Sequence, residues 1–174
     1  MIQAIPPFID SEKAAGELFD GRALAAAEAC VMEERLAGNP VVLLVEDFDD
    51  TRKLMRHVLE LCGCRVLEAA NGQEAIELAQ RTERLDLILM DLNMPVLDGF
   101  TATLRIREYE QTRNVPVVAV TAFDTAEFRA AASAVGCNDY VVKPLDFERL
   151  ATLLKQFLSR AAAVPPLAQS ESTA

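Results

Sequence analysis

The chain has 174 residues and a formal net charge of −10, with 51% of residues apolar and 25% charged. That length allows one sizeable core with some chain to spare, and no apolar run is long enough to span a membrane as a helix. The acidic balance argues against a general nucleic-acid surface.

Residues 1–39 read as a separate extension. Seven acids (Asp10, Glu12, Glu17, Asp20, Glu28, Glu33, Glu34) face three bases (Lys13, Arg22, Arg35). A helix is expected between Asp10 and Ala37, interrupted near Gly16 or Gly21 and stopped at Gly38. Its one apolar stripe, Leu18, Ala25, Ala29, Met32 and Leu36, is weak because two of the five are alanine. The N-terminus lacks the basic n-region of a signal peptide, and Cys30, Cys62, Cys64 and Cys137 show no paired zinc spacing. A cytoplasmic protein is therefore expected.

The texture changes at Pro40. Val41 to Val45 is an unbroken apolar run, the pattern of a strand buried on both faces, and it ends in Glu46-Asp47. Asp49 or Asp50 is expected to cap a helix running to about Cys62, with Leu54, Met55, Val58 and Leu61 inward. Arg65 to Ala69 reads as a short edge strand. Asn71-Gly72 turns into a helix that buries Ala75, Ile76 and Ala79. Asp86 to Asp91 is the central strand, whose four unbroken apolar residues run directly into a carboxylate. Met94-Pro95 and Asp98-Gly99 follow with turn chemistry. A helix is expected from about Phe100 to Glu110, and then a strand from Val115 to Val120 ending at Thr121. Asp124 is expected to cap an alanine-rich helix to about Val135, stopped by Gly136. Asp139 to Val142 is the last strand, ending at Lys143-Pro144. Asp146 opens a helix with Leu150, Leu153, Leu154, Phe157 and Leu158 at helical spacing. Residues 161–174 read as a disordered tail, so the expected organisation is 1–39, 40–160 and 161–174.

Strand and helix alternate five times over this stretch. The expected fold is α/β, a three-layer doubly wound sandwich on a parallel sheet with right-handed crossovers. The four most apolar strands are expected to be central. A charge cannot lie within the apolar part of such a sheet without a partner, so Asp91 belongs at the strand's carboxyl end, the edge where open α/β sheets bind ligands. The same edge gathers Glu46-Asp47, Thr121 and Lys143. Carboxylates that close repel one another unless a cation neutralises them. Oxygen ligation with few protein ligands suits Mg²⁺, which keeps waters and takes a phosphate oxygen. With a hydroxyl and an ammonium added, this is equipment for phosphoryl transfer to a carboxylate.

As a set, Glu46-Asp47, the Asp91 stretch through Met94-Pro95 and Asp98-Gly99, Thr121-Ala122 and Tyr140-Val141-Val142-Lys143-Pro144 resemble the receiver domain of two-component response regulators. The resemblance covers about Pro40 to Arg160. It implies a flavodoxin-like five-stranded sheet of order 2-1-3-4-5. It implies Asp91 as phosphoacceptor and Mg²⁺ held by Asp47 and Asp91 directly, by Glu46 through water and by the main-chain carbonyl of Asn93. Thr121 and Lys143 would hold the phosphoryl oxygens, Tyr140 would be the switch aromatic, and the bond before Pro144 would be cis.

The implied protein is a phosphoacceptor rather than a classical enzyme. It would be served by a sensor histidine kinase or a histidine phosphotransfer protein, because His57, the only histidine, lies mid-helix without a phosphotransfer pattern. The residues after Arg160 are too few for an output domain. The expected output is therefore a downstream protein target or onward phosphotransfer, with a homodimer through the 124–158 face left open and neither nucleic acid nor membrane engaged. Two alternatives use the same residues. One is an interaction module indifferent to phosphorylation. The other is a haloacid dehalogenase-like phosphatase, which would need a second aspartate where Asn93 stands.

Overall fold

The structure, a computed structural model, describes residues 38–161, with side chains as far as Leu158. The helix expected before Gly38 and nearly all of the tail expected after Arg160 lie outside the described residues.

Five strands alternate with five helices in this region: β1 (Val41–Val45), α1 (Asp49–Leu61), β2 (Arg65–Ala69), α2 (Gly72–Arg81), β3 (Leu87–Asp91), α3 (Gly99–Glu108), β4 (Val117–Thr121), α4 (Ala126–Ala134), β5 (Asp139–Val142) and α5 (Phe147–Ala161). The strands pair in parallel in the order β2-β1-β3-β4-β5. All strand ends therefore share one edge, as a flavodoxin-like sheet requires.

The sheet separates two apolar cores. Val42, Leu44, Leu87, Leu89, Val118 and Val120 face one side, against Met55, Val58 and Leu59 of α1 and Leu150, Leu153, Leu154 and Leu158 of α5. Leu43, Val45, Ile88, Met90, Val117 and Ala119 face the other, against α2, α3 and α4. The period-two alternation of a strand sends neighbouring residues to opposite faces. A strand covered on both faces must then be apolar along its buried length, as β1 is and as β3 and β4 are up to their last residues, Asp91 and Thr121. Leu54 and Leu61 are only partly buried, and Leu59 takes the inward place beside Val58. Cys62 and Cys64 are buried at the helix-to-strand turn, where Gly63 has φ +89°.

Several expected details are corrected. β2 lies at an edge as expected, but β5 lies at the other, so not all four of the most apolar strands are central. β4 starts at Val117; Pro116 before it has no N–H to give, and only its carbonyl joins the ladder, accepting from Ile88. The N-cap of α1 is Phe48, without a side-chain cap, because Asp49 is occupied by Arg52 at 2.7 Å and Lys53 at 2.5 Å. The cap of α4 is Thr125, whose hydroxyl accepts from the Phe128 N–H, whereas Asp124 pairs with Arg129. α3 begins at Gly99, with Asp98 as its cap.

Candidate functional site

The C-terminal edge of the sheet carries the polar residues. Glu46 and Asp47 leave β1, Asp91 ends β3, Thr121 ends β4 and Lys143 follows β5. Register brings them together. Asp91 stands opposite Val120, the residue before Thr121, and the Lys143 N–H donates to the Thr121 carbonyl at 2.7 Å.

Lys143 is the centre of the cluster. Its ammonium donates to Asp91 Oδ2 at 2.6 Å and to Glu46 Oε2 at 2.8 Å, and all three side chains are nearly excluded from solvent. The other Asp91 oxygen, Oδ1, accepts from the Asn93 main-chain N–H at 2.8 Å. Glu46, Asp47 and Asp91 each bring one carboxylate oxygen within 4.8 Å of the others. One ammonium does not balance three carboxylates. Asp47 Oδ1 is buried without a hydrogen-bond partner, and an orphaned anionic lone pair of this kind fits a hard cation. The residues present therefore suit Mg²⁺.

The electrostatics follow from burial. Glu46 is pushed up to about 7, first by loss of water and then by the Asp91 charge, with Lys143 pulling the other way. Burial likewise raises Asp91, against the opposing pull of Lys143 and the Asn93 N–H. Burial alone would lower Lys143, but Asp91 and Glu46 outweigh it and hold the ammonium above its ordinary value.

The remaining expected positions are at the rim. The Thr121 hydroxyl accepts from the Phe123 N–H at 3.0 Å. Tyr140 sits in β5 opposite Ala119, half-buried against the α2–α4 core, with the Arg129 guanidinium 4.7 Å above its ring. The Lys143–Pro144 bond is cis. His57 is exposed on α1.

Residues 42–155 match the family model described as the response regulator receiver domain. The chain belongs to this family. The receiver is 36% identical over 120 residues to the polar-differentiation response regulator DivK of Brucella anthropi, covering 69% of this chain and 97% of that one. Among solved structures, it resembles the receiver domain of sensor histidine kinase PA1611 from Pseudomonas aeruginosa PAO1, which has a magnesium ion coordinated in its active site cleft. The identity is 36% and the TM-score 0.65, over 70% of this chain and 99% of that one. It also resembles a chain in the Saccharomyces cerevisiae co-crystal of the histidine phosphotransfer protein Ypd1 with the receiver domain of its downstream response regulator Ssk1. There the identity is 30% and the TM-score 0.68, over 74% of this chain and 94% of that one. As a receiver it is a phosphorelay-type signalling domain, not a classical enzyme. No helix among the described residues is long and apolar enough to cross a membrane.

Two further residues contact this rim that the sequence does not single out. Gly99 reads as half of a turn, yet it presses on the main chain of Asp91. A Cβ there would collide with the Asp91 carbonyl oxygen and lie 2.8 Å from Cα of Leu92. Arg52 reads as one more surface base on α1. Its guanidinium donates to the Glu46 carbonyl at 2.9 Å and lies 3.4 Å from that of Asp47. The only sequence signal for Arg52 is an arginine one turn into the helix after an acidic pair.

Proposed function

We propose that Asp91 is the phosphoacceptor of this receiver and takes its phosphoryl group from a phosphohistidine on a sensor histidine kinase or a histidine phosphotransfer protein. One observation carries the reading: a buried carboxylate at a strand end, held by an ammonium at 2.6 Å and flanked by two further carboxylates. The relatives support the direction of transfer, since one is a receiver from a histidine kinase and another was crystallised with a histidine phosphotransfer protein.

A carboxylate oxygen of Asp91 forms the new P–O bond while the P–N bond to the donor imidazole breaks, and that electron pair leaves with the nitrogen. Lys143 is already in place to meet a phosphoryl oxygen. The Thr121 hydroxyl, which now accepts from Phe123, keeps its own proton to donate to another. Glu46, Asp47, Asp91 and the main-chain carbonyl of Asn93 would hold Mg²⁺. When bound, the ion neutralises the charge that builds on the transferring oxygens. The new charge at Asp91 draws Thr121 and Lys143 toward it, and Tyr140 follows as the switch aromatic. The surface formed by α4, β5 and α5 then reports the change to a downstream protein, to a second copy of this chain or to the next phosphoacceptor. Among the described residues, Cys62, Cys64 and Cys137 form no disulfide, which suits a reducing, cytoplasmic setting.

The test is incubation with acetyl phosphate and Mg²⁺ followed by intact-mass analysis. The wild type gains one phosphoryl group and Asp91→Asn gains none. Stoichiometric labelling that persists in Asp91→Asn would remove Asp91 from this role.

A further inference from the structure

Arg52 belongs to the first turn of α1, and its main-chain N–H closes that turn on the Phe48 carbonyl at 2.9 Å. Helical side chains lean toward the helix N-terminus, so the Arg52 guanidinium lies back over the β1–α1 loop. There it spans four groups. Nη1 donates to the Glu46 carbonyl at 2.9 Å and approaches the Asp47 carbonyl at 3.4 Å. Nη2 donates to Asp49 Oδ1 at 2.7 Å, and Nε lies 3.5 Å from Glu68 Oε2 on β2. The side chain is 16% exposed, far less than that of Lys53 beside it at 63%. A planar guanidinium is suited to such a task because its donors are fixed relative to one another.

The two carboxylates of that loop differ in how they are held. Glu46 is fixed at its end by Lys143 and accepts from the Phe48 N–H at 3.4 Å. Asp47 has a buried oxygen with no partner. Its place is set through its main chain, and Arg52 reaches the carbonyl of that main chain.

We propose that Arg52 is a positioning residue for the divalent cation: by clamping the Glu46 and Asp47 carbonyls to α1 and β2, it holds the Asp47 carboxylate facing Asp91 before any cation arrives. This inference rests on the reading that Asp47 helps hold Mg²⁺. It carries its own sign. Arg52 is a cation near three carboxylates, so as a mere charge it would oppose Mg²⁺, and its removal would tighten binding. As a positioning residue its removal must weaken binding. Loss of an outer partner that orients a metal ligand typically costs about ten- to a hundredfold in affinity.

The experiment is calorimetric titration of the full chain with Mg²⁺ alone, alongside melting of the metal-free proteins by circular dichroism. The variants are Arg52→Gln, Arg52→Lys and Asp47→Asn. Arg52→Gln is expected to bind about tenfold more weakly. Arg52→Lys, which keeps stem and charge but not the fork, is expected to fall between it and the wild type. Affinities for both Arg52 variants equal to or tighter than the wild type overturn the proposal, even if their melting points drop. If Arg52→Gln fails to fold, Arg52→Lys decides alone: weaker binding supports the clamp and unchanged binding overturns it. A different result sinks the underlying metal reading, namely no Mg²⁺ binding by the wild type or none lost in Asp47→Asn.

Discussion

A hydrogen in place of a side chain at Gly99 lets α3 start against the end of β3. Gly99→Ala has no room: the added methyl meets main-chain atoms of Asp91 and Leu92, which cannot move without shifting the carboxylate. Overpacking of this kind costs about 1–3 kcal/mol. Gly99→Ala is therefore expected to lower the urea midpoint and also to slow labelling by acetyl phosphate. A variant as stable and as quickly labelled as the wild type would contradict the close approach. Glu46 gives a pH dependence. In the metal-free protein its carboxyl is pushed up to about 7 from an ordinary 4.5, first by burial. Between those values the folded state keeps a proton that the unfolded chain has released. Raising the pH strips that proton, so the fold loses stability as pH climbs through the window. Asp91, raised by burial, acts in the same direction. Lys143, raised by its two acids, affects only alkaline solution beyond the window. Urea titrations in EDTA should give a lower midpoint at about pH 8 than at about pH 5, and saturating Mg²⁺ should flatten the difference. A midpoint that rises with pH in EDTA would refute this account of Glu46.

At the scale of elements, α3 is fastened at both ends by different means. Its start is capped by Asp98, which accepts from the Thr101 N–H at 2.8 Å. Near its end, Arg107 donates to the carbonyls of Thr112, Val115 and Gly136 and to Asn138 Oδ1. This guanidinium is half-buried, and burial lowers its pKa. Its neighbours accept in place of water, which ties α3 to the starts of β4 and β5, the edge of the sheet away from Asp91. Removing it leaves several acceptors without a donor, at about 1–3 kcal/mol for each one that stays buried. Arg107→Met should lower stability by about 2 kcal/mol or more, while labelling of the folded fraction by acetyl phosphate stays as in the wild type. A labelling defect larger than the loss of folded protein would show that the two edges are coupled. Burial decides a second comparison. Leu89 of β3 is fully buried, whereas Leu67 of edge strand β2 is only partly so. Leu89→Ala should cost about 2–5 kcal/mol and Leu67→Ala clearly less, read from chemical denaturation.

Among the described residues, four of the five strands, all but β2, deliver polar residues to one rim, and the helices cover both faces of the sheet. The phosphorylation proposed for Asp91 would place charge at that rim, beside the surface of α4, β5 and α5. Arg129 spans part of this surface, paired with Asp124 and lying over Tyr140. Beryllofluoride with Mg²⁺, standing in for the phosphoryl group, should change amide exchange in residues 124–158 and leave α2 nearly unchanged. Equal effects on both faces would argue against a directed output. Residues 40–160 are proposed as the receiver unit, so removal of residues 1–39 should leave Mg²⁺-dependent labelling intact.

The sequence by itself determined the alternation of elements and the strand ends on which Glu46, Asp47, Asp91, Thr121 and Lys143 would fall. Unbroken apolar runs can satisfy their burial only in a sheet covered on both faces, and a parallel sheet has one C-terminal edge. It did not determine helix caps, because Asp49 and Asp124 are equally good caps and ion-pair partners, and only the neighbours decide which. It did not show that Gly99 is needed for packing against Asp91 or that Arg52 grips the acidic loop. Both depend on how closely segments far apart or differently directed approach one another, and that spacing is a property of the packed chain rather than of any stretch within it.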